Sequence, residues 1–472
     1  MRICIASVLI LDLSIRLSDL EAFYTDTGAV PLNMVFTHTW NDYFISLHTI
    51  SGRWEVQLAL FIVALFCALM LFIGYRTKLF TVLSWFMLLS LHNRNELILQ
   101  GGDDLLRMVL FWAMFIPWGA AYSYDSLRSQ QQPAADMQIR TLATFAYLLQ
   151  VCYVYTGSAL LKGPEWHTHG TALYYVYSLD QIDYPITSVL YQYPDLLRIL
   201  TYVAWYFELL VPLLFFVPLQ HSIFRAVSVL LIFGFHLFNG MTIFIGLFFM
   251  IGIATSVGLL PTFVMDRFDR FTRNIRARVS DSFAGIAYAV QFIIPWKQPR
   301  YVYGQIREKA NAFLLVFLIF YVLDWNLSHL NFVHYKLGDR GRALGYVLRI
   351  DQCWGMFAPG VFKDDGWYIL EGVTQDGREI DLMQQGKEVS YEKPRHVVYM
   401  FKNDRWRKYS ENLLLTYNEF SRGYFCNYYK RDWNERHPRW QIKTLRIVYM
   451  MEFTQADYQY SPPTREVLCE CR

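Results

Sequence analysis

Charged residues are scarce in this chain of 472 residues, where Asp, Glu, Lys and Arg together make up 18%. Soluble domains carry about 25%, so an ordinary water-soluble fold is disfavoured. The net charge is only +3, which excludes a polycationic protein that binds nucleic acid through its charge. No internal repeat is present, which argues against a secondary transporter built from inverted repeats.

Apolar blocks fill roughly the first 325 positions of a chain that is 54% hydrophobic. About 20 apolar residues are needed to cross the ~30 Å hydrocarbon core of a bilayer. Asp12, Arg16 and Asp19 weaken the first block, and no small-residue cleavage site follows it to indicate a signal peptide. The predicted spans are 2–20, 55–75, 79–99, 105–122, 140–161, 195–217, 223–242, 243–262 and 311–326. Two or three of them are also compatible with re-entrant or interfacial segments.

The chain becomes polar after the last apolar block. Strand-like runs flank an Asp-Gly turn in GWYILEGVTQDGREIDL, and KTLRIVYMMEFT is typical of another strand, with a helix-like stretch between them. The sequence therefore predicts an all-α polytopic membrane bundle of about eight or nine transmembrane helices with a small C-terminal α+β extracytoplasmic domain. The predicted boundaries are 1–262 for the bundle, 263–310 for a basic amphipathic cytoplasmic linker, 311–326 for the last transmembrane helix and 335–472 for the C-terminal domain.

The distribution of Lys and Arg predicts the orientation in the membrane. Residues 163–197 contain no Lys or Arg, whereas residues 262–310 contain nine. Arg267, Arg270 and Arg273 are spaced three apart, as on a helix face that lies on anionic lipid. Alternating spans then place 163–197 and the C-terminal domain outside, in a multi-pass protein of the cell (inner) membrane.

The cysteines fit an oxidising compartment for the C-terminal domain. Cys4, Cys67 and Cys152 lie in apolar spans, where a small buried side chain is the ordinary role. The C-terminal domain holds four more, which predict one or two disulfides with three possible full pairings: Cys353, Cys426, Cys469 and Cys471. The terminal Cys-Glu-Cys motif also permits a metal pair or a reactive dithiol, but no histidine partner accompanies it.

Polar residues also occur where the membrane interior should exclude them, and such residues indicate function. In HNRNELILQGGDD, either Asp103 or Asp104 can cap the following helix through its free amide groups. The other acid and Arg94 then form a structural ion pair or take part in chemistry. Farther along, Glu208 lies four residues before Pro212. Its carboxylate can form an ion pair with either Lys162 or Arg94 across the bundle.

Lys162 follows an apolar helix directly. A lysine at a helix end often extends its amine into the headgroup layer, with Trp166 as an interfacial anchor. Alternatively, an apolar pocket that includes Tyr155 would lower the lysine pKa from about 10.4, as a general base near neutral pH requires. His236 and Asn239 are three residues apart and share one face of a later helix. They either take part in chemistry or form a structural hydrogen bond between helices.

These clusters resemble the HTTM superfamily, the membrane module of vitamin K-dependent γ-glutamyl carboxylase. The resemblance rests on FYTDTGAVP, GGDDLLRMVLFWAMFIPWGAAYSYD, YTGSALLKGPEWHTHGTALYY, FHLFNG and QCWGMFAP, in this order. Its GGDD and YSYD segments are closer to the bacterial branch that includes the sporulation-delaying protein B family, whose members help mature a secreted toxin peptide.

The resemblance implies that Lys162 deprotonates vitamin K hydroquinone or another quinone. It also implies that His236 and Asn239 line the same cavity. The chain departs from the carboxylase at GGDD, where the carboxylase has a functional histidine, and its C-terminal region is short for propeptide binding. Both departures weaken glutamate carboxylation and leave a lysine-centred cavity in place.

We therefore expect a membrane factor that modifies or processes a secreted peptide, with a quinone and without a metal. The expected catalytic residues are Lys162 and His236, and the expected cofactor-binding residues are Asn239, Trp166 and Tyr155. The expected supporting polar cluster is Arg94, Asp103, Asp104 and Glu208. The alternative is a non-catalytic chaperone or export partner that binds the peptide through the aromatic stretches RWRKYSENLLLTY and YFCNYYKRDW.

Overall fold

The computed structural model describes residues 1–128, 140–272 and 305–472, which are mostly helical. The polar sequence SQQQPAAD, whose composition is typical of a linker, Arg273 and most of the predicted basic linker lie outside the described residues. The longer helices are α1 (Arg2–Leu17), α2 (Trp54–Ile73), α3 (Thr77–Arg94), α4 (Gly101–Ala113), α5 (Leu142–Leu161), α6 (Pro194–Leu214), α7 (His221–Thr242), α8 (Phe248–Ser256), α9 (Gln305–His329), α10 (Asp339–Leu348), α11 (Asp404–Leu414) and α12 (Phe420–Arg436).

Five of the described helices, α2, α5, α6, α7 and α9, are long and apolar enough to cross a bilayer, as expected of a membrane protein. The pair Phe248–Leu259 and Thr262–Thr272 passes the same test together but bends by 102°, which gives six if the pair is one broken span. Helix α4 ends at Ala113, nine residues before the predicted end at 122. Pro117 follows closely, and a residue that precedes proline avoids helical geometry.

Contacts between helix ends define one face of the bundle. Arg2, at the start of α1, donates hydrogen bonds to backbone carbonyl groups at the end of α2. Tyr147, near the start of α5, donates to the Thr255 carbonyl near the end of α8 at 2.5 Å. A Cβ atom on Gly258 would lie 2.5 Å from Met1 and 3.2 Å from Tyr147, so these ends meet. The end of α5, the start of α4 and the C-terminal domain therefore lie at the opposite face.

The C-terminal domain contains a four-stranded antiparallel sheet in the order β2-β1-β3-β4, and α12 packs on β3 and β4. The strands are β1 (Asp364–Thr374), β2 (Glu379–Asp381), β3 (Ile442–Phe453) and β4 (Thr464–Cys471). Gly377 turns the chain between β1 and β2 at a φ of 86°, which glycine adopts without strain. The sequence predicted the strands around this turn and β3 but missed β4.

One disulfide joins the described cysteines of the C-terminal domain. It links Cys426 of α12 to Cys471 of β4, with Cα atoms 6.1 Å apart. Cys353 and Cys469 carry free thiols. The structure therefore contains one of the one or two predicted bonds, and it fastens a helix to the edge strand of the sheet.

A segment of the predicted C-terminal domain packs into the bundle. Trp354 is 1% exposed, and a Cβ atom on Gly157 of α5 would lie 3.2 Å from its ring. The side-chain oxygen of Gln352 accepts hydrogen bonds from Gln150 of α5 at 2.7 Å and from the Trp354 indole at 2.9 Å. Ile350, Gln352 and Trp354 are therefore buried against the bundle, although they fall within the predicted C-terminal domain.

Four buried charged side chains join the bundle to the C-terminal domain, and we call them the charge quartet: Asp12, Arg16, Asp103 and Arg405. Arg405 of α11 binds both carboxylate oxygens of Asp103, at 2.5 and 2.8 Å, and Asp12 at 2.7 Å. Arg16 binds the same two acids, at 2.8 Å to Asp12 and 2.5 Å to Asp103. The formal charges of the quartet cancel, as burial requires.

A second junction joins loop 163–197 to the sheet through three clustered carboxylates, Asp180, Asp365 and Glu452. Lys393 forms ion pairs with Asp180 and Glu452. The three acids of the cluster therefore have one lysine as their neighbouring cation. Asp365 is 2% exposed, and its burial, together with the nearby Asp180, raises its pKa well above the ordinary value. Loop and domain lie on one face, as the orientation prediction requires.

The quartet predicts the effect of Arg405→Ala. The substitution leaves two buried acids to share Arg16, which we expect to lower the free energy of unfolding by about 3–5 kcal/mol. Limited proteolysis should then cleave the released C-terminal domain much faster than in the wild type. Arg446→Ala, which removes a solvent-exposed pair with Glu470, is the control and should leave the stability nearly unchanged. Equal stability of the two variants would contradict a structural role for the quartet.

The second junction predicts a pH-dependent effect of Asp365→Asn. The raised pKa means that folding takes up a proton, so wild-type stability falls as the pH rises above about 4 toward the folded-state pKa. Asparagine removes this cost and keeps an oxygen that can accept from the Asp180 amide, 2.5 Å away. The variant should unfold at a higher Tm than wild type at pH 8, with a smaller difference at pH 4.

The matched control for Asp365→Asn is Glu466→Gln on the exposed edge strand β4. It should leave the Tm unchanged across the same pH range. A variant at position 365 that is less stable than wild type at pH 8 would show that the ionised carboxylate stabilises the junction.

Candidate functional site

The candidate site begins where α5 ends. Lys162 follows the last residue of α5 with an extended backbone, and Gly163, which precedes Pro164, is extended as well. The Gly163 amide donates to the Pro359 carbonyl at 2.6 Å. A Cβ atom on Gly163 would lie 2.8 Å from that oxygen, so only glycine allows this approach. The turn therefore locks Lys162 against residues 350–359.

Lys162 forms a buried ion pair with Glu208 of α6. Both side chains are almost completely inaccessible, at 3% and 6% exposure. Pro212 lies in the same helix and lacks the amide hydrogen that would bond to the backbone carbonyl of Glu208. The prediction of a lone lysine in an apolar pocket, or in the headgroup layer, is therefore wrong, because a carboxylate compensates its charge. Lys162 is the partner of Glu208, and Arg94 is not.

Trp166, which belongs to loop 163–197, covers the Lys162 amine. Its ring centroid lies 4.0 Å from the Lys162 amine, within the range of a cation–π interaction. Its indole nitrogen donates to the Phe357 carbonyl at 2.9 Å, and only 3% of the residue is exposed. The prediction of Trp166 as an interfacial anchor is therefore wrong. Two segments of the family resemblance, the Lys162 turn and QCWGMFAP, are in direct contact here.

A second polar pair lies deeper along the same helices. The Tyr155 hydroxyl of α5 and Nε2 of His236 in α7 are 2.9 Å apart, and His236 is fully buried. Gly252 of α8 makes room for the imidazole, since a Cβ atom there would lie 2.1 Å from Nε2. Nδ1 of His236 is buried and has no hydrogen-bond partner among the described residues. That nitrogen remains free to bind a group that enters the bundle.

Aromatic rings connect the two pairs. Phe207, adjacent to Glu208, packs edge-on against Tyr155 with centroids 5.9 Å apart and stacks on Phe235 at 4.3 Å. Asn239 is only partly buried, one turn beyond His236. Its backbone carbonyl accepts from the Ile243 amide at 2.9 Å. The structure therefore brings Tyr155, Lys162, Trp166, Glu208 and His236 into one group of helices, with Asn239 at its edge.

The predicted supporting residues of the GGDD region occupy a different part of the molecule. Asp103 accepts from the Gln100 amide at 2.9 Å in a capping box, as one of the two acids was predicted to do. Asp104 pairs with Arg107 at 2.9 Å. Arg94 donates to the Val30 carbonyl at 2.7 Å, and no ion pair of Arg94 occurs in the described part of the chain. The predicted Arg94–acid pair is therefore wrong.

Sequence reasoning missed the partners that organise these residues. Asp12 and Arg16 are an opposite-charge pair four residues apart on an apolar helix, and this spacing is a usable signal for a buried pair. Arg405 lies in a polar amphipathic helix and gives no such signal. Gln150 of α5 gives a weak one, as a lone amide within a predicted span.

One group of potential metal ligands also occurs in the bundle. Oxygen or nitrogen atoms of Asp12, His92 and Asp103 lie within 4.8 Å of one another. The guanidinium groups of Arg16 and Arg405 already occupy the cation positions around both acids. These residues are therefore a neutralised structural cluster, which does not fit a divalent cation.

Comparison of the chain with protein-family models, curated proteins and solved structures found no match.

The fit between α7 and α8 predicts the effect of Gly252→Ala. The added methyl group must displace the His236 ring, and such overpacking costs about 1–3 kcal/mol. Thermal unfolding in detergent should show a clear loss of stability. Gly234→Ala in α7 is the control, because nothing lies within 4 Å of its added Cβ, and it should be neutral or slightly stabilising. A tolerated Gly252→Ala would argue against tight packing around the imidazole.

Proposed function

We propose that this chain is a membrane-embedded maturation factor that modifies a secreted peptide, with Lys162 as the base. The observation that carries the proposal is the buried Lys162–Glu208 pair beneath Trp166. A buried ion pair gives little stability over apolar residues of the same size. Ionisable groups within membrane bundles usually mark functional sites. The fold has no evident need of an amine here, which favours a chemical role.

The pair provides a route to a neutral amine. Transfer of one proton from the Lys162 ammonium to the Glu208 carboxylate gives an uncharged amine and an uncharged acid. Low polarity favours this state, because no charge then needs solvation. The free amine accepts a proton from an acidic hydroxyl group, and the ammonium that results balances the anion. Glu208 thus controls the protonation of Lys162.

The quinone of this proposal would bind beside His236. Nδ1 of His236 lacks a partner among the described residues and can bind a ring oxygen, while Phe207 and Phe235 offer flat apolar surfaces. Tyr155 orients the imidazole through Nε2. A bound hydroquinone, of which vitamin K hydroquinone is the example implied by the resemblance, would supply an acidic hydroxyl and two electrons for reaction with oxygen. Asn239 and Trp166 border the same helices.

The proposal includes nine membrane crossings, with the C-terminal domain outside the cytoplasm. The contacts at the two bundle faces support helices that alternate in direction, including the short α4 and α8. The basic residues of 76–78 and 262–270 belong to the face opposite loop 163–197, in agreement with the positive-inside rule. The Cys426–Cys471 disulfide supports an oxidising compartment for the domain.

The family resemblance supports the peptide as substrate class. The Lys162 turn and Trp166 contact Pro359 and Phe357 of the QCWGMFAP segment, and His236 bonds to Tyr155, two turns before Lys162. A relation to the HTTM superfamily and its sporulation-delaying protein B branch is part of the proposal. Carboxylation itself is not, because the quartet acid Asp103 stands in the region where the carboxylase has its histidine.

The alternative function, a chaperone or export partner without catalysis, is favoured by one specific observation. A cavity of about 320 Å³ opens between the bundle and the aromatic residues of α11 and α12. In that case the C-terminal domain would be essential and the lysine pair dispensable.

Two variants distinguish catalysis from a structural role of the pair. Lys162→Ala leaves Glu208 buried and unpaired, so it can fail through misfolding. The double variant Lys162→Met with Glu208→Leu removes both charges and should fold as well as wild type. We expect the rate of peptide modification to fall by at least about 100-fold, the usual contribution of a general base. Mass spectrometry of peptides secreted by cells that carry each variant gives the measurement.

Lys363→Met is the matched control, because Lys363 pairs with Glu165 on the same face at 3.0 Å but is half-exposed. It should leave the secreted peptides unchanged. Lipid extracts of purified wild-type protein should contain a quinone that the His236→Leu protein lacks. Unaltered peptide products from a folded double variant would end the catalytic proposal and favour the chaperone function.

A further inference from the structure

The cleft between the bundle and the C-terminal domain has the size of a ligand site. It holds about 320 Å³, near the lower end of the range for small-ligand pockets. One wall is the short helix Leu20–Tyr24 after α1, and the other walls come from α11, α12 and β1. The cleft therefore opens on the face that carries the C-terminal domain, outside the apolar spans.

Ten of the 17 residues that line the cleft are apolar or aromatic, and the others are polar or charged. Trp406, Phe425, Tyr428 and Tyr429 form one continuous group, with neighbouring ring centroids 4.7–6.5 Å apart. Methionine side chains from residues 383 and 400 lie in the lining as well. Such surfaces bind methylene chains, and methionine adapts to their shape. The Arg431 guanidinium already lies 5.8 Å from the Tyr428 centroid, which shows that the rings also attract cations.

The charged groups of the cleft leave one carboxylate without a cation. Asp19 is held by the Lys402 amine at 2.5 Å and by the Trp406 indole at 2.9 Å. Asp432 pairs with Arg436 at 2.7 Å. Glu21 is exposed and forms no ion pair with any residue of the described ranges. Three acids thus face two bases, and the unpaired acid stands at the opening.

We propose that this cleft binds a basic side chain, lysine or arginine, of the secreted peptide. Its methylene stem lies on the aromatic wall and its cationic head reaches Glu21, in the manner of amphipathic side chains that bury the stem and solvate the head. An acidic side chain would be repelled by Glu21, and an apolar one would leave it unpaired. The identity of the ligand as part of the secreted peptide rests on the proposed function, whereas the preference for a basic side chain rests on the cleft.

The test uses the purified full-length chain in lipid nanodiscs and three acetylated peptides, Gly-Ser-Xaa-Ser-Gly. Xaa is lysine, norleucine or glutamate. Saturation-transfer NMR detects weak binding and should show transfer to the lysine methylene protons, weaker transfer to norleucine and none to glutamate. Glu21→Gln should weaken binding of the lysine peptide about fivefold, as expected for a partly exposed ion pair, and leave the norleucine peptide unaffected. Added salt at 0.5 M should reduce the difference between lysine and norleucine.

Two controls separate the cleft from general surface charge and from the lysine chemistry. Glu435→Gln removes an exposed acid elsewhere on α12 and should not change binding, so an equal loss would overturn the proposal. Equal binding of all three peptides, or no effect of Glu21→Gln, would overturn it as well. The Lys162→Met/Glu208→Leu protein should bind the lysine peptide normally. Peptide modification that survives in that variant would refute the proposed catalysis and leave the cleft assignment intact.

Discussion

The charge quartet is the interaction on which the rest of the structure depends. Asp12, Arg16 and Asp103 lie inside the bundle, where an unbalanced charge is costly, and Arg405 completes the set from a helix of the C-terminal domain. The bundle is therefore neutral at this point only with the domain attached. Separately, carbonyl groups of Phe357 and Pro359 hold Trp166 and the Lys162 turn at the end of α5.

The proposed basicity of Lys162 depends on its ion pair with Glu208 and not on isolation of the amine. A lone buried lysine loses its proton because its charge is unsolvated, but Lys162 faces a carboxylate in equally deep burial. Its state depends on which partner holds the proton, and a ligand that enters the bundle can change that balance. His236 contributes a second polar group two turns away, oriented by Tyr155 and with Nδ1 unengaged. Aromatic rings of Phe207 and Phe235 lie between the two pairs.

Much of the fold was predictable, because local composition determines helices in lipid. The apolar runs predicted α2, α5, α6 and α7 to within about three residues. Strand β4 was missed because it is an exposed edge strand whose sequence, TREVLCEC, lacks the pattern of a half-buried strand. The pairing of Lys162 with Glu208 joins residues 46 positions apart, and no local rule selects that partner over Arg94. Long-range pairing in the interior depends on helix packing, which single-sequence patterns do not specify.

The position of Arg405 in the chain has a consequence for the order of assembly. Asp12 and Arg16 enter the membrane as a balanced couple on one helix, but Asp103 follows without a cation of its own. Its second counter-ion is synthesised 302 residues later, after all the candidate spans of the described residues. The nascent bundle thus carries one surplus negative charge through most of translation. The helices can pack fully around these charges only after Arg405, in the last quarter of the polypeptide, has been synthesised. A chain truncated before Arg405 therefore keeps an unbalanced carboxylate in the centre of the bundle and packs incompletely.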